Sequence, residues 1–210
     1  MAHQSDPRFL VLHGLRLKGF AEPEALSPIA GMAADDVRSH LLELDGQGMV
    51  LHRDGRMSGW SLTPDGRQRH AGLIEADLEA AGCREGLDDA YRQFLKLNPR
   101  LLEACTAWQL RQQGDRQVPN DHADPDYDAG ILTRLAEIDE EIRPVCAELA
   151  AMMGRYAHYS ERLSTALGRV RQGETDWFTR PLIDSYHTVW FELHEDLLVT
   201  LGIERARETL

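Results

Sequence analysis

The chain carries nine histidines and three cysteines, and their spacing limits the chemistry they can do. His187 and His194 stand seven apart, two turns along one helix face. That is about 10 Å along the axis, too far to share one ion. A zinc-binding helix needs histidines four apart with a glutamate between them, and HTVWFELH lacks that arrangement. Cys83, Cys105 and Cys146 are widely spaced and odd in number. They make no zinc pattern and no disulfide framework, and read as reduced core thiols. Asp124, Asp126 and Asp128 alternate as at the start of a calcium loop. The sixth position is Ala129 and the twelfth Leu135, where such a loop needs glycine and glutamate. There is no Gly-rich phosphate loop, no GxSxG elbow and no local Cys–His pairing. The sequence therefore predicts no metal site, no cofactor and no catalytic residues.

What remains is binding chemistry, of two kinds. Trp108, Tyr156, Arg180, His187 and Trp190 mix aromatic faces with a few polar tips, the makeup of an effector pocket and equally of an ordinary core. Arg180 and His187 are seven apart around the start of the last helix, so they could share a face and hold an anionic ligand. The second kind lies between residues 27 and 66. Ala34, Asp35, Asp36, Arg38, Ser39, Leu42 and Glu43 fall on the outward face of a helix, and His52, Arg53 and Arg56 lie on or beside a hairpin tip.

The elements that position this second group are legible locally. Phe9, Val11, Leu12, Leu15 and Leu17 give a first helix its apolar face, and Gly19 ends it. Pro23 and Glu24 open a short second helix, and Gly31 turns the chain. A third helix runs from about Ala34 to Gln47 on a stripe of Val37, Leu41 and Leu44, stopped by Gly48. Residues 49–53 and 58–62 read as strands around Asp54-Gly55, a strong hairpin signal. Thr63-Pro64 then supplies a cap and a first-turn proline for the next helix.

The segment AGMAADDVRSHLLELDGQGMVLHRDGRMSGWSLTPDGRQRH resembles the winged helix of MarR-type bacterial regulators. The matching features are the Val37–Leu41–Leu44–Gly48–Met49–Val50 frame, the Arg53–Arg56 wing and the Leu62-Thr63-Pro64-x-Gly66-Arg67 run. The resemblance covers about residues 9–72. It implies double-stranded DNA as partner, a homodimer held by helices outside the winged helix, and often release by a small ligand. In it Ala34, Asp36, Arg38 and Ser39 would probe bases, and His52, Arg53 and Arg56 would hold the backbone or minor groove. One departure stands out: only Arg38 is basic on the outward face of the third helix.

From residue 67 the pattern is helical almost throughout. Helices are expected over 67–82, over the stretch ending at Asn98-Pro99, and over the stretch holding Leu101, Leu102, Cys105, Trp108 and Leu110. After a polar linker at 114–128, they are expected over 129–143, 145–171 and 181–201, with further helix to Ala206. No strand signal appears outside the wing. The fold class is thus mainly α: a winged helix-turn-helix of three helices and a two-stranded wing over 5–70, then an all-helical dimerisation and effector domain over 71–210. The aromatic stripe Ile183, His187, Trp190, Phe191, His194, Leu198 reads as core or dimer seam.

Charge refines the picture. The net charge is -12, but residues 1–70 hold 8 basic and 9 acidic side chains, and the remainder 15 and 26. The acidity belongs to the C-terminal part, so a near-neutral N-terminal module tolerates DNA without demanding it. No apolar run approaches the roughly 20 residues of a membrane span. The start MAHQSDPR has no apolar signal core, and the expected location is the cytoplasm. The first expectation is a transcriptional regulator that is not an enzyme. The alternative is an interaction adaptor that reuses a winged helix without binding DNA.

Overall fold

The computed structural model describes residues 1–55 and 58–205. Helix α1 spans Pro7–Lys18, α2 Pro23–Ala30 and α3 Ala34–Gly46. Strands β1 (Val50–Arg53) and β2 (Gly59–Leu62) pair antiparallel, with Val50 opposite Leu62 and Arg53 opposite Gly59. Ala21 adds one rung on the outer side of β2, exchanging both backbone hydrogen bonds with Trp60 at 3.0 and 2.9 Å. Helix α4 runs Pro64–Ala81 and α5 Arg84–Gln109. A second hairpin follows, β3 (Leu110–Gln113) with β4 (Arg116–Pro119). Then come α6 (Pro125–Met152), a 3₁₀ turn (Gly154–Tyr156), α7 (His158–Arg171), the short α8 (Asp176–Thr179) and α9 (Tyr186–Leu201). The chain is mainly helical, and no helix among the described residues is long and apolar enough to cross a membrane.

Two compact units form. The first takes Met1–Leu87, Leu149–His158 and Glu195–Thr209; the second takes Asp88–Glu148 and Tyr159–His194. The division at 70/71 expected from sequence falls inside α4, which continues unbroken to Ala81. Compactness follows long-range packing, so two short late segments join the N-terminal residues.

In the first unit Val11, Leu12 and Leu15 of α1, Leu26 of α2, Val37, Leu41 and Leu44 of α3, and Val50, Trp60 and Leu62 of the hairpin share one core. Local chemistry fixes the ends. The Asp6 carboxylate accepts from the backbone N–H groups of Arg8 and Phe9, capping α1. Gly31 closes α2 in the left-handed conformation at φ 64°, which lets α3 start three residues later. The Thr63 hydroxyl donates to the Gly48 carbonyl at 2.7 Å and accepts from Gly66 N–H at 3.0 Å, so it joins the start of α4 to the foot of β1.

Beyond the first hairpin, the chain departs from the sequence expectations in several places. α5 passes through Pro99 and α6 through Pro144 without ending. An internal proline costs about 3 kcal/mol, but Leu97, Asn98 and Leu101 are buried around the first and Ile142, Val145 and Cys146 around the second, so packing outweighs the lost bond. The break expected at Pro144 comes instead at Met153–Ala157, between α6 and α7. Residues 110–119, read as helix end and polar linker, form β3–β4. Gly114 (φ 61°) and Asp115 make its two-residue turn, and polar flanks hide the alternation that marks a strand. The last helix begins at Tyr186 rather than at 181, because Leu182 takes a left-handed φ of 68°. α9 ends at Leu201, where Gly202 turns the chain at φ 72°, so the further helix expected toward Ala206 does not follow through residues 203 and 204; Ala206 itself lies outside the described residues.

A side chain at Gly66 would place its Cβ 1.9 Å from the Met49 carbonyl oxygen, which belongs to the backbone and cannot rotate away. Gly66→Ala is expected to cost at least about 3 kcal/mol in chemical denaturation followed by circular dichroism. In the same helix Gly72 has nothing near its missing Cβ. Gly72→Ala is expected to add about 0.5–1 kcal/mol.

Candidate functional site

Helix α3 and the first hairpin make one candidate surface. Val37, Leu41 and Leu44 bury one side of α3 and leave Asp35, Asp36, Arg38, Ser39, Leu42 and Glu43 exposed. Ala34 is half-buried at the first helical position. The Ser39 hydroxyl turns back on the Asp35 carbonyl at 2.9 Å. Arg38 donates to Glu24 of α2 at 2.9 Å, and Glu43 pairs with Arg8 at 2.8 Å. His52 lies over the Trp60 ring, with centroids 4.7 Å apart, and near Asp54 at 3.4 Å. Arg53 is exposed at the end of β1. Arg56 lies outside the described residues.

The five residues expected to hold an effector have separate surroundings. In the second unit Trp108 packs between His122 and Phe178, at 4.5 and 5.0 Å. Trp190 Nε1 donates to the Asn98 side chain at 3.0 Å, and its ring rests on Phe94. Arg180 is exposed and paired with Asp176 within α8 and its cap. His187 is half-buried on α9, and burial lowers its pKa. Arg180 and His187 do not share a helix face, because the turn around Leu182 separates their elements. Tyr156 belongs to the first unit, fully buried, its hydroxyl donating to Thr200 at 3.0 Å.

Tyr156 leads to a polar cluster that the sequence reading missed. Arg155, on the 3₁₀ turn, is buried and pairs with Asp196 of α9. It also donates to Thr200 at 2.6 Å, meets His13 Nε2 at 2.8 Å, and has its Nε 3.7 Å from Asp77 of α4. His13 Nε2 lies 3.0 Å from Asp196, and His13 Nδ1 lies 3.0 Å from His70 Nε2 on α4. The two imidazoles stack, with planes 9° apart. Asp77 accepts from Ser5 at 2.9 Å and contacts His3 at 2.7 Å. The electrostatics follow from burial and neighbours. Burial would raise Asp196, but Arg155 and then His13 hold it well below the carboxylate range. Burial lowers His13, outweighing the pull of Asp196. Burial, then His13, then Arg16 and Arg155 take His70 down to about 3. Neutral histidines thus stand beside an ionised carboxylate and guanidinium.

His70 also lines a cavity of about 390 Å³ in the first unit. Arg16, Arg67 and Arg84 reach its wall, with Glu75 the one acidic lining residue. Ile74, Ala71 and Val199 give it an apolar side. Among the described residues no group of three or more His, Cys, Asp or Glu comes together that could hold a metal ion. The chain matches no protein-family model, no curated protein and no solved structure.

The only sequence signal for the buried cluster was a polar residue set in an apolar face, His13 in α1 and Asp196 in α9. Their partners lie 183 residues apart, beyond any local pattern. Both histidines resist protonation in the fold. The unfolded chain therefore binds more protons below about pH 6.5, and stability falls as pH drops from there, by up to about 1.4 kcal/mol per pH unit toward about 3 for His70 and in the same direction for His13. Urea titrations between pH 7.5 and 4.5 are expected to show that slope. His70→Gln is expected to reduce it whatever its effect on stability at pH 7.5; an unchanged slope would exclude His70 as its source.

Proposed function

We propose that the chain is a transcriptional regulator that binds duplex DNA through a winged helix-turn-helix over residues 5–70. It acts as a homodimer joined through the helical remainder, and responds to a small effector. The carrying observation is the order α1–Ala21 rung–α2–α3–β1–β2, with α3 buried on one stripe only, its other face exposed, and Arg53 exposed at the end of β1. That is the layout in which a second helix enters a major groove while a wing touches the backbone. Leu102 and Phe191, exposed at 47% and 49%, offer apolar contact for a second copy in the helical part.

The pairing of Arg38 with Glu24 does not block this role. Both side chains are about half-exposed. Such a pair is worth under about 1 kcal/mol, less than a charge-assisted contact to phosphate or guanine, so Arg38 can exchange partners.

One observation favours a second reading. The exposed α3 face carries Asp35, Asp36 and Glu43 around Leu42, which is 60% exposed. A face of that charge with an apolar centre suits a protein partner with a basic surface better than phosphates.

Fluorescence anisotropy against the duplex upstream of the gene, with a scrambled duplex as control, separates the two. The regulator reading expects selective binding that weakens as salt rises. Arg53→Gln is expected to weaken both duplexes and to lower the salt slope by about one per protomer. No binding at low salt would overturn the regulator reading and leave the acidic face to a protein partner.

A further inference from the structure

We infer that the cavity bounded by α1, α4, the start of α5 and the end of α9 is a binding site for a small organic anion bearing a carboxylate or phosphate group. The volume, about 390 Å³, lies within the roughly 300–1,000 Å³ of small-molecule sites. In a chain of net charge -12, three arginines line this cavity against one glutamate. Their engagement differs. Arg16 pairs with Glu195 at 3.0 Å, and Arg84 donates to the Leu201 carbonyl, a neutral partner, at 3.2 Å. Arg67 is exposed, with no hydrogen-bond or ionic partner for its side chain among the described residues. Two of the three arginines therefore have no carboxylate to neutralise them. Ala71, Ile74 and Val199 form an apolar wall that fits the carbon frame of such a ligand.

The buried cluster behind His70 supplies a further donor. His13 Nε2 lies within reach of both Arg155 and Asp196, at 2.8 and 3.0 Å, and can serve one at a time. Arginine only donates and an ionised carboxylate only accepts. When His13 Nε2–H donates to Asp196, His13 Nδ1 accepts from His70 Nε2–H, and His70 Nδ1 is a bare lone pair. When His13 Nε2 accepts from Arg155, His13 Nδ1–H donates to His70 Nε2, and His70 Nδ1 carries the proton. No protein partner takes His70 Nδ1 among the described residues. An anion in the cavity selects the second arrangement, in which every bond from Arg155 through His13 and His70 points its hydrogen toward the ligand. Asp196 keeps Arg155 and Thr200 as partners in either state. The chain thereby changes tautomer without any net proton uptake.

The test is calorimetric titration of the full chain, without DNA, with inorganic phosphate and with succinate. It stands apart from the regulator reading because no duplex is involved. At least one probe is expected to bind. Arg67→Gln, a change on an exposed side chain, is expected to weaken that binding at least about tenfold. Arg69→Gln removes the same charge from the same helix outside this cavity, and is expected to leave the affinity unchanged. No binding of either probe overturns the inference, as does an equal loss in the two variants, which would mark a general charge effect. Nitrogen-15 shifts of His70 give a second readout. The Nδ1–H tautomer is expected to dominate in the bound state, and persistence of the Nε2–H form would remove His70 from the site.

Discussion

The first compact unit depends on burying the Arg155 guanidinium. Removing such a group from water costs several kcal/mol even after relaxation, and that cost is offset by close ionic and hydrogen-bonding partners. Here Asp196 and Thr200 on α9, His13 on α1 and Tyr156 beside Arg155 bond its terminal nitrogens, while Nε makes no hydrogen bond and has the Asp77 carboxylate of α4 at 3.7 Å. A well-packed hydrophobic replacement would be at least as stable. The ionic solution instead specifies which segments must meet, since any mispairing leaves a charge buried alone. That requirement explains why Leu149–His158 and Glu195–Thr209 belong with the N-terminal residues.

Helix α4 joins the features that matter in this unit. Gly66 at its start lies against the Met49 carbonyl at the foot of β1. One residue on, Arg67 faces the cavity; one turn on, His70 touches His13; two turns further, Asp77 meets Ser5 and His3. A rigid 18-residue helix thus carries the hairpin contact, the cavity wall and the polar cluster on one element. Whatever shifts α4 at the cavity bears on the first hairpin through Gly66, where no side chain cushions the contact. A second arrangement of that contact would be needed to make it a switch.

What could be read from the sequence was local. Val37, Leu41 and Leu44 at helical spacing, Gly31 and Gly48 at the ends, and Asp54-Gly55 between strands each act within a few residues, and α1 to β2 fell close to where they pointed. The β3–β4 hairpin escaped because Arg111, Gln112, Gln113, Arg116 and Gln117 carry no apolar alternation; Gly114-Asp115 was its one signal. The prolines at 99 and 144 misled for the opposite reason. Their local cost is real, but buried neighbours on both sides exceed it. The histidine and arginine of the cavity wall come from α1, α4 and α5, so no window of sequence contains them together. The spacing of Arg180 and His187 suggests one face only along an unbroken helix, and the chain is interrupted at Leu182.

The net charge of -12 decides less about DNA than its size suggests. Screening at physiological salt confines a surface charge to about 8 Å, so acidic side chains farther than that from a bound duplex act weakly on it. What acts on phosphates is the charge within one Debye length of α3 and the hairpin. There Asp35 and Asp36 oppose Arg38 and Arg53, and Glu24 competes for Arg38. Asp35 and Asp36 also stabilise the first turn of α3 through its dipole. That contribution, roughly 0.3–1 kcal/mol each, gives them a structural reason to be present that does not depend on any partner. Their presence alone therefore weighs little against DNA, whereas Glu43 and the exposed Leu42, farther along the helix, gain nothing from the dipole and carry the argument for a protein surface.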